Sequence, residues 1–262
     1  MFNTRHIVRT IAATASILAL SFTAACGSGQ STASNSTDSD DITQQTYKPG
    51  KLTIATGQPA YEPWVMNDKP ESGEGYEAAV AYAVADKLGF KKSDVVWTRT
   101  AFDTAIAPGA KDWDFNIQQF GITDERKKAV DFSSSYYNDS QSVVVKKDSK
   151  FANATKVSDL KDATVGVMVG TLAYDYAKAN IKDDIQTFND DAALAQALDA
   201  GQIDALVTST VECVYMVQSE QVKDAKVLGR LPDSEDKSGM GIVLPKDSKL
   251  TAAVTKAVDD LN

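Results

Sequence analysis

The sequence predicts a two-lobed α/β protein in which each lobe is a β-sheet flanked by helices. From Lys51 onward, short runs of β-type residues alternate with stretches of helical periodicity, which is typical of α/β layering. In addition, two distant passages, 103–117 and 192–207, share one plan of helix, glycine turn, aspartate and buried strand. We therefore expect two lobes that are built alike rather than a short-period repeat.

Residues 48–142 and 238–262 are predicted to form a discontinuous first lobe. Its main helix, at 77–88, has an apolar packing face and is followed by Gly89, which suits a helix C-terminus. The predicted elements of this lobe are strands at 52–56, 95–98 and 114–117, a loop rich in Pro, Gly and aromatic residues at 57–75, and helices at 77–88, 103–106 and 249–261.

Residues 143–237 are predicted to form the second lobe, because a charged, turn-like break at 146–150 follows an apolar run. The chain then returns to the first lobe near 239–244. The chain thus passes between the lobes twice. Two such passages imply a two-strand hinge, since a pair of extended strands can flex without unpacking either core. The predicted elements of the second lobe are strands at 164–169 and 204–207, a turn at 170–171, and helices at 172–178 and 192–198.

The composition indicates an ordinary globular protein and argues against one class of partner. Of 262 residues, 43% are hydrophobic and 24% are charged, and the formal net charge is −9. Such a chain can bury one or two cores. Because a surface that binds nucleic acid must be basic, we expect no nucleic-acid partner.

The first 25 residues have the organisation of a secretory signal peptide. Arg5 and Arg9 precede an apolar run at 11–20, and small residues then lead to Cys26. The apolar run is too short to span a bilayer stably. Residues 26–47 are predicted to be a flexible tether, because most of this stretch is polar and of low complexity.

The segment 118–126 is the most informative one for a ligand site. Thr123 is a good N-cap and acids follow it, so we expect a helix to begin there and to present free amides to an anion. Arg126, about one turn further, could form a bidentate pair with a carboxylate beside those amides. The alternative is a surface arginine that pairs with Asp124 or Glu125.

Several short motifs are weak one by one, and their order and spacing make them specific together. They are Ala60-Tyr61-Glu62-Pro63-Trp64, Gly75-Tyr76-Glu77, Ile122-Thr123-x-x-Arg126, Asp131-Phe132-Ser133, Val165-Gly166-Val167, Gly170-Thr171 and Gly201-x-x-Asp204-Ala205. With them, the chain resembles the polar amino-acid-binding proteins of bacterial ABC importers, the family 3 solute-binding proteins. The resemblance covers almost all of 51–261 and implies a periplasmic-binding-protein-like fold, of the Venus-flytrap type.

The resemblance also implies ligand-binding roles for residues of both lobes. Arg126 would grip the α-carboxylate of an amino acid. Tyr61 and Phe102 would sandwich its side chain, although an aromatic residue is more often simply part of a core. The other implied positions are Gln119, Gly121 and Thr123 in the first lobe and Gly170 and Thr171 in the second.

The chain departs from the family at two places. Where the family usually has an aspartate that holds the ligand's ammonium, this sequence has Ser209, and a hydroxyl cannot neutralise a buried cation. Either Glu212 takes that role or the ligand lacks an ordinary ammonium, and Glu212 could equally be a solvated helix residue. The family usually continues through a glycine turn into one more helix, whereas this sequence stops at Asn262, so we expect a truncated chain of reduced stability.

The N-terminal segment resembles a bacterial lipoprotein export signal, which implies that Cys26 carries lipid, including palmitate. The departure is Thr23, where such signals usually have leucine. A lipid would hold the protein at the outer face of a membrane while its folded part stays in water. The other cysteine, Cys213, lies in an apolar run and is expected to be a buried hydrophobic residue rather than a reactive thiol.

The resemblance thus implies an extracytoplasmic, lipid-anchored, monomeric protein that captures an amino acid or a close derivative for an ABC permease. We expect no enzyme activity, cofactor or metal, because the only histidine, His6, lies within the predicted signal peptide. Its loss excludes Ser-His and Cys-His mechanisms and leaves no cluster with zinc-like spacing. The alternatives are a dehydratase-like lyase on the same fold and a ligand-sensing lobe.

Overall fold

The structure is a computed structural model that describes residues 41–262. The predicted signal peptide, Cys26 and the tether as far as residue 40 lie outside the described residues. Among the described residues, no helix is long and apolar enough to cross a membrane.

The strands are β1 (Leu52–Thr56), β2 (Val95–Arg99), β3 (Phe115–Asn116), β4 (Val130–Tyr137), β5 (Gln141–Lys146), β6 (Val165–Met168), β7 (Ile185–Phe188), β8 (Ala205–Ser209), β9 (Ala225–Arg230) and β10 (Met240–Pro245). The helices are α1 (Tyr76–Lys87), α2 (Phe102–Ile106), α3 (Leu172–Asn180), α4 (Asp191–Asp199), α5 (Thr210–Gln218) and α6 (Thr251–Asp259).

The first lobe contains a five-stranded sheet in the order β2-β1-β3-β10-β4. β1 pairs in parallel with β2 and β3, while β10 runs antiparallel to β3 and β4. On one face, Leu52 and Ile54 of β1 pack with Ala81 of α1 and Val254 of α6. The strand β10 therefore joins the C-terminal part of the chain to the sheet that begins at Leu52.

The second lobe contains a five-stranded sheet in the order β7-β6-β8-β5-β9, with helices on both faces. Successive side chains of a strand point to opposite faces, so Val143 and Val145 of β5 join the core beneath α3, while Val144 joins the core beneath α4 and α5. Cys213 of α5 is fully buried in the second of these cores, as the sequence predicts. The protein is thus a mixed α/β protein with two lobes.

Most predicted elements are present, but the helix expected to begin at Thr123 is not. The strand predicted at 52–56 is β1, and the helix predicted at 77–88 is α1 with a shift of one residue. After Thr123 the chain forms only a short 3-10 turn, Arg126–Lys128, because Val130 already pairs with Pro245 as the first residue of β4. Strand pairing therefore leaves no room for a full helix.

Two segments, 138–140 and 231–239, connect the sheets. They contact each other, since the Asp236 amide donates to the Asp139 carbonyl oxygen at 2.9 Å and the Leu231 amide donates to the Gln141 carbonyl oxygen at 2.8 Å. The predicted lobe boundaries, at 142/143 and 237/238, stay a prediction. The first strand of the second sheet begins at Gln141.

Candidate ligand-binding site

A cavity with about 780 Å³ of empty volume, part of it open to solvent, lies between the two sheets. The strands β1 and β3 of the first lobe and β6 and β8 of the second lobe end beside it. Open α/β sheets bind ligands in the crevice beyond the carboxyl ends of their strands. The fold therefore brings side chains of both lobes to one space of ligand size.

Eight of the ten binding residues predicted from the sequence line this cavity, and two do not. The Thr123 hydroxyl oxygen accepts a hydrogen bond from the Arg126 amide at 3.1 Å, and the Gly170 carbonyl oxygen accepts one from the Arg126 side chain. Thr123 and Gly170 therefore position Arg126 instead of lining the cavity. The eight that line it are Tyr61, Phe102, Gln119, Gly121, Arg126, Thr171, Ser209 and Glu212.

The guanidinium of Arg126 is held at the cavity by contacts with both lobes. Its Nη1 donates to the Gly121 carbonyl oxygen at 2.7 Å, and its Nη2 donates to the Gly170 carbonyl oxygen at 2.8 Å. Its central carbon lies 5.4 Å from the centroid of the Phe102 ring, within cation–π range. Since a guanidinium has five N–H donors, three remain for a carboxylate.

The neighbouring acids do not neutralise this arginine. The Lys127 ammonium lies 3.7 Å from the Asp124 carboxylate, and Lys128 pairs with Glu125. The alternative of an arginine paired with either acid on the surface is therefore wrong. Burial lowers the pKa of the Arg126 guanidinium, but an arginine stays charged in a protein.

Aromatic rings form two walls of the cavity. Phe102 stacks on the buried Phe120, with ring centroids 4.6 Å apart and planes tilted by 30°. The Tyr61 hydroxyl oxygen accepts a hydrogen bond from the Ala192 amide at 3.4 Å, so this first-lobe residue touches the start of α4 in the second lobe. Burial raises the pKa of the Tyr61 hydroxyl, which therefore stays protonated.

A buried carboxylate fixes the backbone at Gln119. The Gln119 amide donates to Glu77 Oε1 at 2.7 Å, and the Tyr136 hydroxyl donates to the same carboxylate. Gln119 has a φ of 50°, in the left-handed region that residues other than glycine seldom adopt. Burial raises the pKa of Glu77 to about 7.

Two buried carboxylates of the second lobe form an acidic wall of the cavity that Arg126 also lines. Asp191 begins α4 and Glu212 lies in the first turn of α5, and each side chain is only 7% exposed. Glu212 Oε2 accepts a hydrogen bond from the Thr208 hydroxyl at 2.7 Å. Burial raises the pKa of both carboxyl groups, and their mutual repulsion raises the pKa of Asp191 further. Glu212 is therefore not the solvated helix residue that remained an alternative.

The two segments that connect the lobes each place an aspartate at the cavity. Asp139 Oδ1 accepts from the Ser140 amide at 2.7 Å, and Asp236 Oδ1 accepts from the Gly239 amide at 3.0 Å. Within residues 41–262, the Oδ2 atom of either aspartate is buried without a hydrogen-bond partner. Burial raises the pKa of both groups. These aspartates line the cavity from the hinge.

Comparison with known families agrees with this arrangement. The model of the bacterial extracellular solute-binding proteins, family 3, matches residues 52–262. The chain belongs to this family. Every strand and all six helices that the structure describes begin within the matched range.

Relatives of this family 3 protein bind amino acids. The L-arginine-binding protein of Pseudomonas aeruginosa is 28% identical over 230 residues, which cover 82% of this chain and 83% of the relative. An ancestral arginine-binding protein, solved with arginine, is 30% identical, has a TM-score of 0.68, and covers 81% of this chain and 92% of its own. An ancestral amino-acid-binding protein, a precursor of cyclohexadienyl dehydratase, is 29% identical with a TM-score of 0.67 and covers 81% of this chain and 89% of its own.

The acidic wall of this family 3 protein was only partly visible in its sequence. Ser209 caps α5, since its hydroxyl oxygen accepts from the Glu212 amide at 3.3 Å, and Glu212 is the acid that sequence reasoning considered in its place. Asp139, Asp191 and Asp236 were missed. The acids 190–191 come directly before the helix predicted at 192–198, where acids commonly serve as N-caps, but which of them faces a cavity depends on how the second lobe meets the first.

Proposed function

We propose that this protein is an extracytoplasmic, substrate-binding lipoprotein of an ABC importer, and that it captures an amino acid or a close derivative between its lobes. One observation carries the proposal: Arg126 and two buried carboxylates, those of Asp191 and Glu212, line the same cavity. An amino acid offers a carboxylate to the guanidinium and an ammonium to a carboxylate. The arginine-binding relatives support this class of ligand.

The α-carboxylate is proposed to lie between Arg126 and the start of α3. The Thr171 hydroxyl donates to the Met168 carbonyl oxygen at 2.8 Å and accepts from the Tyr174 amide at 3.2 Å. Because the hydroxyl is used in this way, we assign the contact with the carboxylate to backbone amides at the beginning of α3. Gln119 and the backbone of Gly121 complete this side of the site.

The α-ammonium is proposed to lie beside Ser209. Two carboxylates, Asp139 and Glu212, lie near this hydroxyl and supply the negative charge that a serine lacks. The aliphatic part of the ligand then passes between Tyr61 and Phe102, which offer apolar faces to it. The first lobe thus provides the cation and the aromatic rings, while the second lobe and the hinge provide the anions.

Contacts between the lobes fit a closed, binding-competent state. Arg126 bonds to Gly170, the Ala192 amide donates to Tyr61, and the Tyr215 hydroxyl donates to the Glu62 carboxylate. A ligand that touches both lobes adds to these contacts only when the cleft is closed. Binding therefore shifts a pre-existing equilibrium toward the closed form.

Titration calorimetry on the purified full-length protein tests amino-acid capture. Each of the twenty amino acids is titrated separately, and we expect saturable, one-to-one binding of at least one of them. The same protein with Arg126→Ala is the control. If no amino acid binds, or if the variant binds as tightly as the unmodified protein, the proposal fails.

Lipid anchoring and delivery are tested in cells of the source organism. We expect labelled palmitate to be incorporated into the protein and to be lost in a Cys26→Ala variant. We also expect deletion of the gene to abolish uptake of the amino acid that calorimetry identifies. Normal uptake after deletion would instead favour a sensing role for the closed state.

A lyase is the second candidate, and one feature of the site favours it. Carboxyl groups whose pKa is raised by burial, and which therefore keep their protons at a higher pH than ordinary carboxyl groups do, line the same cavity as an arginine that can bind an anion. The similarity to a precursor of cyclohexadienyl dehydratase points the same way. Incubation with prephenate-type acids, followed by product analysis, separates the two functions, and we expect no product to form.

A further inference from the structure

The charges around the cavity do not balance for an ordinary amino acid. Among the described residues, Arg126 is the one cationic side chain that lines it, against the carboxylates of Asp139, Asp191, Glu212 and Asp236. A zwitterionic ligand brings no net charge, because its one carboxylate and its one ammonium cancel, and a single ammonium can neutralise only one negative charge among these acids. The remaining carboxyl groups, of which Asp191 and Glu212 are the most buried, would then have to stay protonated or carry an uncompensated charge, and the latter is costly.

A small recess, with about 210 Å³ of empty volume that includes space open to solvent, adjoins the cavity at its acidic wall. Tyr61, Asp191 and Glu212 line both spaces, and Glu62 and Tyr215 close the smaller one. Within the described chain, neither lysine nor arginine lines it. Tyrosine faces attract cations, and carboxylates accept their hydrogen bonds. These five residues are called the acidic cage below.

One atom of the acidic cage indicates that a donor belongs there. Asp191 is only 7% exposed, and within residues 41–262 its Oδ1 is buried without a hydrogen-bond donor, because the side chain that it meets is another carboxyl group, that of Glu212. Buried carboxylate oxygens are nearly always bonded to a donor. The hydroxyl of Thr208 is directed to Glu212 and that of Tyr215 to Glu62, so these two hydroxyls bond to the other two acids of the cage.

We infer that the acidic cage binds a positive charge on the ligand's side chain, so that the captured amino acid has two cationic groups and one carboxylate. A guanidinium or a terminal ammonium supplies the donors that Asp191 and Glu212 accept. Tyr61 lines both spaces. A ligand whose carboxylate is bound at Arg126 can therefore extend its side chain past Tyr61 into the cage. This inference rests on the proposed capture of an amino acid.

Matched pairs of ligands test the inference on the purified full-length protein. Arginine is compared with citrulline, whose side chain has nearly the same shape but ends in a neutral urea group, and lysine is compared with norleucine. We expect at least one cationic ligand to bind about tenfold to a hundredfold more tightly than its neutral partner, as for hydrogen bonds to charged groups. Equal affinities within both pairs would overturn the inference while leaving amino-acid capture intact, whereas no binding at all would overturn both.

The variant Asp191→Asn locates the selectivity. It keeps the size of the side chain, and we expect it to reduce the preference for the cationic ligand to about threefold or less. The matched control is Asp190→Asn, because Asp190 lines neither space and an asparagine can still cap α4, as Asp190 does by accepting from the Ala193 amide at 2.8 Å. Equal losses in both variants would show a general charge effect and overturn the assignment to the cage. If Asp191→Asn does not fold, Glu62→Gln is measured in its place with the same expected result.

Discussion

Arg126 and Gly170 join the two lobes: Nη2 of the arginine in the first lobe donates to the glycine carbonyl oxygen in the second lobe over 2.8 Å. Gly170 immediately precedes Thr171, the N-cap of α3. The same guanidinium bonds to Gly121 in its own lobe. The side chain proposed to bind the ligand's carboxylate is therefore also one of the contacts that hold the cleft closed.

Replacement of Arg126 by alanine is expected to weaken amino-acid binding by at least about 2 kcal/mol, because it removes one partner of a buried charge pair. Replacement by lysine is expected to recover only part of this loss, since an ammonium keeps the charge but not the planar fork of donors. Calorimetric titration measures both effects. Lys127→Ala, at an exposed position on the same turn, is the control and is expected to bind normally. Normal affinity of the alanine variant would contradict the assignment of the carboxylate to Arg126.

The acidic cage makes a pH dependence testable. Burial raises the pKa of Asp191 and Glu212, so both carboxyl groups gain protons at a higher pH than ordinary carboxyl groups do. Affinity for a cationic amino acid is therefore expected to decrease as the pH falls through these raised values, and Asp191→Asn is expected to flatten the dependence. Titrations from pH 8 to pH 4.5 measure it. The other ionisable groups that face the pair are Tyr61, Glu77, Asp139, Asp190 and Cys213.

A pH profile that rises on acidification would contradict this prediction. Norleucine provides the comparison, because its side chain has no charge and the proposed cage does not bind it. Its affinity is expected to change less over the same range. An equal decrease for the two ligands would instead assign the effect to groups that contact the common α-amino and α-carboxyl parts.

The hydrogen bond between Tyr215 and Glu62 is expected to slow ligand release. The Tyr215 hydroxyl belongs to the second lobe and the Glu62 carboxylate to the first, so opening the cleft breaks this contact. Tyr215→Phe removes the hydroxyl alone, and we expect ligand dissociation to become about fivefold to tenfold faster, in line with about 1 kcal/mol for a hydrogen bond. Stopped-flow measurements of dissociation detect the change.

Tyr82→Phe is the matched control for that experiment. The Tyr82 hydroxyl contacts Trp97 and Glu71, and all three residues belong to the first lobe. Loss of this hydroxyl is expected to leave dissociation unchanged. If Tyr215→Phe and Tyr82→Phe have the same dissociation rate, the contact between Tyr215 and Glu62 does not stabilise the closed state.

Local sequence was sufficient to predict much of the fold. β1 is a short run of β-type residues that are all buried, and α1 begins after Gly75 and ends before Gly89, so the residue pattern and the flanking glycines agree with the structure. The helix predicted after Thr123 is absent for a reason that lies outside the segment. Its cap and acids favour a helix, but β10, more than a hundred residues later, pairs with the chain from Val130 and ends the turn.

The same distinction applies to the site. Arg126 and Tyr61 lie in motifs that a reader can recognise, and both line the cavity. Asp139 and Asp236 lie in the segments that connect the lobes, and their place depends on two passages about a hundred residues apart meeting at the hinge. A carboxylate that joins a site only because two distant segments pack together leaves no local signal in the sequence.

Glu77 is expected to give the folded protein a measurable pH dependence of stability. Burial raises its pKa from the ordinary 4.5 to about 7, so the folded state binds a proton that the unfolded state has already released. The free energy of unfolding should therefore decrease as the pH rises through this window, and a difference of about 2.5 pH units corresponds to about 3 kcal/mol. Glu77→Gln, which does not ionise, should lose less stability over the same range.

Chemical denaturation at several pH values between 4.5 and 7.5 checks this prediction. The groups that face Glu77 are Gln119, Tyr136, Tyr76 and Glu212. The exposed Glu74→Gln is the control, and its pH profile is expected to match that of the unmodified protein. Parallel profiles for Glu77→Gln and the unmodified protein would mean that the Glu77 carboxyl has no raised pKa in the folded state.

Gly75 is expected to be indispensable for the junction between the aromatic loop and α1. Its φ is 101°, and a Cβ atom at this position would overlap the Trp64 backbone carbonyl group, which cannot move aside as a flexible side chain can. Gly75→Ala is therefore expected to lower the free energy of unfolding by more than the roughly 1–3 kcal/mol that a strained backbone conformation alone costs. Gly89→Ala is the matched control, because Gly89 also has a positive φ, 87°, but a Cβ there meets nothing within 4 Å. Thermal and chemical unfolding of both variants measures the difference, and since the loop carries Tyr61 and Glu62, a destabilised Gly75→Ala protein is also expected to bind its ligand more weakly. Equal stability of the two variants would show that the backbone around Trp64 can move to accept a methyl group.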